Sequence, residues 1–93
     1  MLNFEWDPNK AQANLEKHGV AFEEAATAFG DPLSLTIEDP DHSEEENRYI
    51  LIGQAITHRL LVVVHTEQHD RIRIISARMA TKQEIRTYEE GSI

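Results

Sequence analysis

The sequence predicts an α+β domain, an antiparallel sheet with helices packed on one face, in the order β-α-α-β-β-β-β-α. Three observations predict it. Apolar residues recur at helical spacing between glycine stops in the first third of the chain. The period changes to two after Pro32. A capping box follows the last aliphatic run. With 93 residues, the chain reads as one domain, 1–93.

Each element has its own signal. Residues 2–6, "LNFEW", alternate apolar and polar as a short strand does. Asp7 can cap free backbone N–H groups, and Pro8 suits the first helical position. That helix should run to about His18 and stop at Gly19. Phe22, Ala25, Ala26 and Phe29 make one apolar stripe of a second helix, with Glu23 and Glu24 in its first turn and "GDP" at its end. "LSLTIE" (33–38), "RYILIG" (48–53), "RLLVVVHTE" (59–67) and "RIRIISAR" (71–78) then read as strands of an antiparallel meander. Thr81 as N-cap and Glu84 at N3 open a third helix, which should end near Glu90 at Gly91.

Composition narrows the function classes. A hydrophobic content of 40% fits a folded globule. There is no cysteine, which excludes a disulfide staple and thiolate chemistry and suits a reducing cytoplasm. The N-terminus has no basic segment followed by an apolar one, so no signal peptide is expected. Leu60–Val64 is too short to span a bilayer, so no membrane association is expected. The formal net charge is −8, with the basic residues weighted towards 59–86. A globally acidic chain disfavours tight non-specific nucleic-acid binding, although a local patch from the second half can still be basic.

Two groups of residues could carry chemistry. Lys17 and His18 end the first helix beside Gly19, where the helix dipole favours cations; that alone explains them. Alternatively the junction presents them to an anion, with the imidazole as acid or base. Lys10, Asn14 and Lys17 share one face of that helix. The second group is Arg48, Arg59, Arg71, Arg73 and Arg78, at or near strand ends. By strict alternation Arg71 and Arg73 share one sheet face and Ile72, Ile74 and Ser76 the other. Arginines within reach of one another make a phosphate-binding surface; the bland alternative is that each pairs with one of the many carboxylates. The five histidines have no metal-ligand spacing, and the acidic stretch 38–46 lacks the glycine pivot of a calcium loop, so neither metal nor cofactor is expected.

Taken in order, "FEWDPNKAQANLEKHGVAFEEA" (4–25), "FGDP" (29–32), the Glu-x-Arg of "EENRYILIG" (45–53), "LLVVVHTE" (60–67), "RIRIISAR" (71–78) and "ATKQEIRTYEEG" (80–91) resemble the BrnT family of ribonuclease toxins from bacterial type II toxin–antitoxin pairs. The resemblance implies a RelE-like fold and metal-independent endoribonuclease activity. It implies a BrnA-like ribbon-helix-helix antitoxin as partner in a hetero-oligomer, operator DNA bound only through that antitoxin, and a cytoplasmic setting. Carried over by position, the family's Lys-His falls on Lys17 and His18, and its two arginines fall on Arg48 and Arg78, with Ser76 beside the latter. These four would be catalytic, and Arg59, Arg71, Arg73, Ser76 and Arg86 would contact RNA. The late helix departs from the pattern. Where the family often has Glu-Arg this chain has Glu84-Ile85, and Arg86 stands one place on, rotated by about 100°. A non-catalytic protein-interaction module is the alternative reading, and a metal-dependent enzyme a distant third.

Overall fold

The structure, a computed structural model, describes residues 2–42 and 47–92. Five strands form one sheet: β1 (Asn3–Glu5), β2 (Leu35–Glu38), β3 (Arg48–Gln54), β4 (Leu60–Gln68) and β5 (Arg71–Met79). The helices are α1 (Pro8–His18), α2 (Phe22–Thr27), which continues into a 3-10 turn at Ala28–Gly30, and α3 (Lys82–Glu90). Their order along the chain is the predicted one. Part of the acidic stretch, residues 43–46, lies outside the described residues.

The helix ends form as their capping chemistry requires. The Asp7 carboxylate accepts from the Asn9 N–H (2.8 Å), and Gly19, at φ 69°, donates its N–H to the Leu15 carbonyl (2.9 Å). At α3 the Glu84 N–H donates to the Thr81 hydroxyl (3.2 Å) and the Thr81 N–H to the Glu84 carboxylate (2.8 Å).

The sheet corrects the predicted topology. Strand order is β1-β5-β4-β3-β2, and β2 to β5 form the antiparallel meander. However, β1 pairs with β5 in parallel, Asn3 opposite Arg71 and Glu5 opposite Arg73. The sheet is therefore mixed. Alternation in a three-residue strand marks which side chains face inward but carries no information on direction. Direction follows from where the two-helix connection returns the chain, at the far edge of the sheet.

The helices also do not share one face. Val20, Phe22, Ala25 and Ala28, from α2 and its flanks, form the main core with Leu51, Leu61, Val63, Ile72, Ile74 and Ala77. Ile52 and Val62 are buried but lie outside that core, and they stand in register with Arg78, whose guanidinium grips Glu84 of α3. Side chains in register point the same way. So α3 covers the second face, near one end of it. Tyr88 ties its far end to the loop before β2 by donating to Asp31 (2.6 Å).

A β-bulge decides what the second face carries. On β5, Ser76 pairs with Val64 but Ile74 pairs with His65, so Ile75 is an extra residue. Before the bulge Ile72 and Ile74 point into the core; after it Ala77 does. Ser76 is therefore on the same face as Arg71, Arg73 and Arg78, not with Ile72 and Ile74 as strict alternation predicts. Unbulged alternation from Ile74 would turn Arg78 into the apolar core, where its charge has no match.

Candidate functional site at the seam between α1 and β5

β1 covers only the first three residues of β5. Beyond Arg73 the outer edge of β5 has backbone groups to satisfy, and α1 satisfies them with one side chain. Asn14 is 7% exposed. Its amide N–H groups donate to the Ala77 carbonyl (2.8 Å) and the Val20 carbonyl (2.9 Å), while its oxygen accepts the Ala77 N–H (3.1 Å). The exchange with Ala77 is what a neighbouring strand would make. One residue thus fixes α1 against the sheet edge and ties in the turn that follows Gly19.

That anchorage sets the surroundings of Lys17 and His18. Together with Lys10, Ala13 and Asn14 they line an open pocket of about 220 Å³, whose other wall is Ile75 and Ser76 at the bulge. Arg78 follows Ser76 on the same side of the strand, about 7 Å further on. The helix turn and the bulge of β5 therefore meet around Lys17, His18 and Ser76, while Arg78, two residues on, turns to Glu84 of α3.

Arg48 is not part of this meeting. It stands in register with Thr66 and Arg73, two strands from β5 and four residues along from the Arg78 level, or about 16 Å away between backbones. Arg71, Arg73, Thr66 and Gln68 line a separate small pocket of about 120 Å³ with Glu5. The open face thus has two basic regions, one at the bulge and one around Arg48, Arg71 and Arg73. The side chain of Arg86, exposed on α3, makes no hydrogen bond or ion pair with another described residue.

The sheet arginines are already matched by carboxylates. Arg78 makes a two-pronged pair with Glu84 (2.7 and 2.8 Å), which holds the Glu84 carboxyl down at about 2. Arg48 donates to Asp39 (3.1 Å). Burial opposes ionisation of Asp39, but the Asp41 N–H, Arg48 and His42 outweigh it and keep the group below the usual carboxylate range. Arg71 and Arg73 share Glu5, at 3.2 and 3.0 Å. Arg59 grips Glu24 and also donates to the Gly19 carbonyl (3.0 Å), so it holds the turn after His18 rather than facing the open sheet. Among the described residues, no carboxylate pairs with Lys10, Lys17 or His18. Among the described residues the two lysines of α1 are uncommitted, and the arginines of the sheet are not.

The remaining histidines have other places. His65 is fully buried, with its Nε2 2.8 Å from Glu67 and its ring against Phe29 and Tyr49. His58 and His69 occupy left-handed turn positions. Among the described residues no cluster of three His, Asp or Glu could hold a metal ion. Sequence reading did not single out Asn14 beyond its helix face. A buried asparagine between two exposed lysines on one face is the signal that could have found it. It also assigned no partners to the arginines, because ion pairs between residues far apart in sequence leave no spacing.

Comparison with known proteins gives the family. The family model described as "Ribonuclease toxin, BrnT, of type II toxin-antitoxin system" matches residues 6–84. Among solved structures, the fold is similar to the Brucella abortus ribonuclease toxin BrnT, with a TM-score of 0.68 and 20% identity, covering 88% of this chain and 100% of that one. No curated protein matches. The family match spans both the Lys17–His18 turn and Arg78, and on that evidence the chain belongs to the BrnT family of type II toxin–antitoxin ribonuclease toxins.

Proposed function

We propose that this chain is a metal-independent endoribonuclease of RelE-like ancestry, acting in the bacterial cytoplasm to halt translation and growth. The observation that carries the reading is the seam itself. Lys17 and His18 line one pocket with Ser76 and carry no paired carboxylate among the described residues, and Arg78 stands two residues past Ser76 on the same strand.

In the proposed reaction the RNA 2′-oxygen attacks the adjacent phosphorus, and the bond from phosphorus to the 5′-oxygen of the next nucleotide breaks. One member of the Lys17–His18 pair takes the proton of the 2′-OH and the other gives a proton to the leaving 5′-oxygen, so the proton count of the pair is unchanged over the step. The products are a 2′,3′-cyclic phosphate and a 5′-OH end. DNA lacks the attacking hydroxyl, so RNA is the substrate. Arg78 stabilises charge on the non-bridging oxygens once it turns from Glu84 to phosphate, and Lys17 adds a second positive charge. Arg48, Arg71 and Arg73 serve the strand further along the open face, with Arg86 at its margin. Arg59 acts through the Gly19 carbonyl, as a positioning residue. A BrnA-like ribbon-helix-helix antitoxin neutralises the toxin in a hetero-oligomer and alone contacts operator DNA.

A second reading is a non-catalytic antitoxin-binding module. The carboxylates on Arg48, Arg71, Arg73 and Arg78, and the net charge of −8, favour it. Induction in bacteria without antitoxin separates the two. The nuclease reading expects growth arrest and shortened RNA, with His18→Ala and Arg78→Ala each restoring growth and cleavage by the pure protein surviving EDTA. Intact RNA and normal growth under wild-type induction would favour the module, and cleavage abolished by EDTA would end the metal-free mechanism.

A further inference from the structure

We infer that α1 carries a second phosphate subsite, at Lys10, so that the helix measures out a length of single-stranded RNA from the reacting bond. The inference rests on the nuclease reading of the seam and deepens it. Lys10 and Lys17 are seven residues apart on one face of α1, nearly two turns, which is about 10 Å along the axis. Both line the pocket whose other wall is Ser76. Asn14 sits between them and is pinned at three points to Ala77 and Val20, so the helix backbone that carries both lysines is held against the sheet edge.

The charges nearby leave Lys10 available. Glu16, the acidic residue on α1, accepts from Gln12 (3.2 Å), and Asp7 is engaged by the backbone of Asn9 and Lys10. Five of the six arginines of the chain pair with carboxylates, whereas among the described residues Lys10 pairs with none. In a chain with a net charge of −8, two unpaired lysines on one pocket form a local positive spot. Neighbouring phosphates of a single strand lie several ångströms apart, so a helix separation of about 10 Å fits two phosphates one or two nucleotides apart. The ligand class is therefore a run of phosphodiesters. One phosphate lies at the Lys17–His18 end and another near Lys10, read for charge and spacing and not for base identity.

The test compares substrates of two lengths. Lys10→Gln keeps a helix-forming side chain at an exposed position, and circular dichroism melting checks that it folds. Binding is measured with a fluorescent all-2′-O-methyl twelve-mer, which has no attacking hydroxyl, across a series of salt concentrations. The expected result is a several-fold weaker Kd for Lys10→Gln and a salt-dependence slope shallower by about 0.7, the loss of one phosphate contact on a single strand. In cleavage, Lys10→Gln lowers kcat/KM more on an unmodified twelve-mer than on a dinucleotide, whereas His18→Ala lowers both alike. Wild-type cleavage with unchanged affinity and slope in Lys10→Gln overturns the subsite and leaves the nuclease reading standing. Equal losses on both lengths also overturn it, since the lysine then acts at the reacting bond. A wild-type protein that neither binds nor cleaves RNA overturns both.

Discussion

Glu84→Gln tests how strongly the sheet face and α3 are tied by charge. The carboxylate receives both arms of Arg78 at 2.7 and 2.8 Å, plus the Thr81 N–H at 2.8 Å. Its pKa falls from an ordinary 4.5 to about 2, chiefly through the Arg78 hydrogen bonds, against the opposing effect of burial. At about 1.4 kcal/mol per pH unit the ceiling on the stabilisation is about 3.5 kcal/mol. The Arg78 side chain is 41% exposed, so solvent screening brings the expected value to about 1–2 kcal/mol. The folded-state pKa is depressed, so this stability is present above about 4.5 and lost as pH falls from there towards about 2. Glutamine keeps the shape and an acceptor for the Thr81 N–H, so the variant removes the charge together with one of the two oxygens that accept from Arg78. Urea unfolding at pH 7, 5, 3 and 2 reads the effect. With a slope of about 1 kcal/mol/M, the wild-type midpoint should lead by about 1–2 M at pH 7, with the gap closing by pH 2. A gap that persists unchanged at pH 2 would refute the argument, because it would belong to packing and not to the ion pair.

Three further outcomes follow from the packing. Asn14→Ala leaves the Ala77 N–H and two carbonyls without their partner and should cost about 2–3 kcal/mol by urea denaturation, with Asn14→Asp at least as costly because a carboxylate would face two carbonyl oxygens. Gly53→Ala would set a methyl group 2.8 Å from the Ala28 carbonyl oxygen and 3.2 Å from the Ser34 side chain, so the thermal midpoint should drop by several degrees. Tyr88→Phe removes the hydroxyl that donates to Asp31, a bond that also pushes the tyrosine up to about 12; it should cost about 1 kcal/mol at neutral pH, and the wild-type phenol should resist ionisation in a spectroscopic titration up to pH 11.

What the sequence made legible was local. Asp7-Pro8, Gly19 and the Thr81–Glu84 box each act within one turn of backbone, so residue type and spacing are enough to place the helix ends. β3 and β4 were legible as strands from their runs of branched aliphatics between short polar turns, which is again local information. β5 was legible only up to Ile74. The bulge at Ile75 is a property of the β4–β5 pair, so alternation assigned Ser76 to the wrong face. The parallel entry of β1 depends on the return of the chain across the whole sheet. The site divides in the same way. Lys17 and His18 could be placed at a helix end, but their approach to Ser76 depends on Asn14 reaching Ala77, 63 positions away along the chain.

The pairing of the arginines bears on how an acidic chain can handle a polyanion. The carboxylates on Arg48, Arg71, Arg73 and Arg78 neutralise the open sheet face in the absence of ligand. Phosphate binding there requires exchange of one anion for another, so part of the gain is offset by the lost pair. At the seam no such exchange is needed, because Lys10, Lys17 and His18 have no paired carboxylate among the described residues. On the proposed function, initial capture would belong to α1, and engagement of Arg78 would follow when phosphate displaces Glu84. This order makes the Glu84→Gln variant informative twice. It weakens the fold by removing a charge pair and strengthens RNA binding by releasing Arg78, so stability and affinity should move in opposite directions. If affinity falls along with stability in a variant that remains folded, Arg78 depends on Glu84 for its orientation, and the carboxylate is its support and not its competitor.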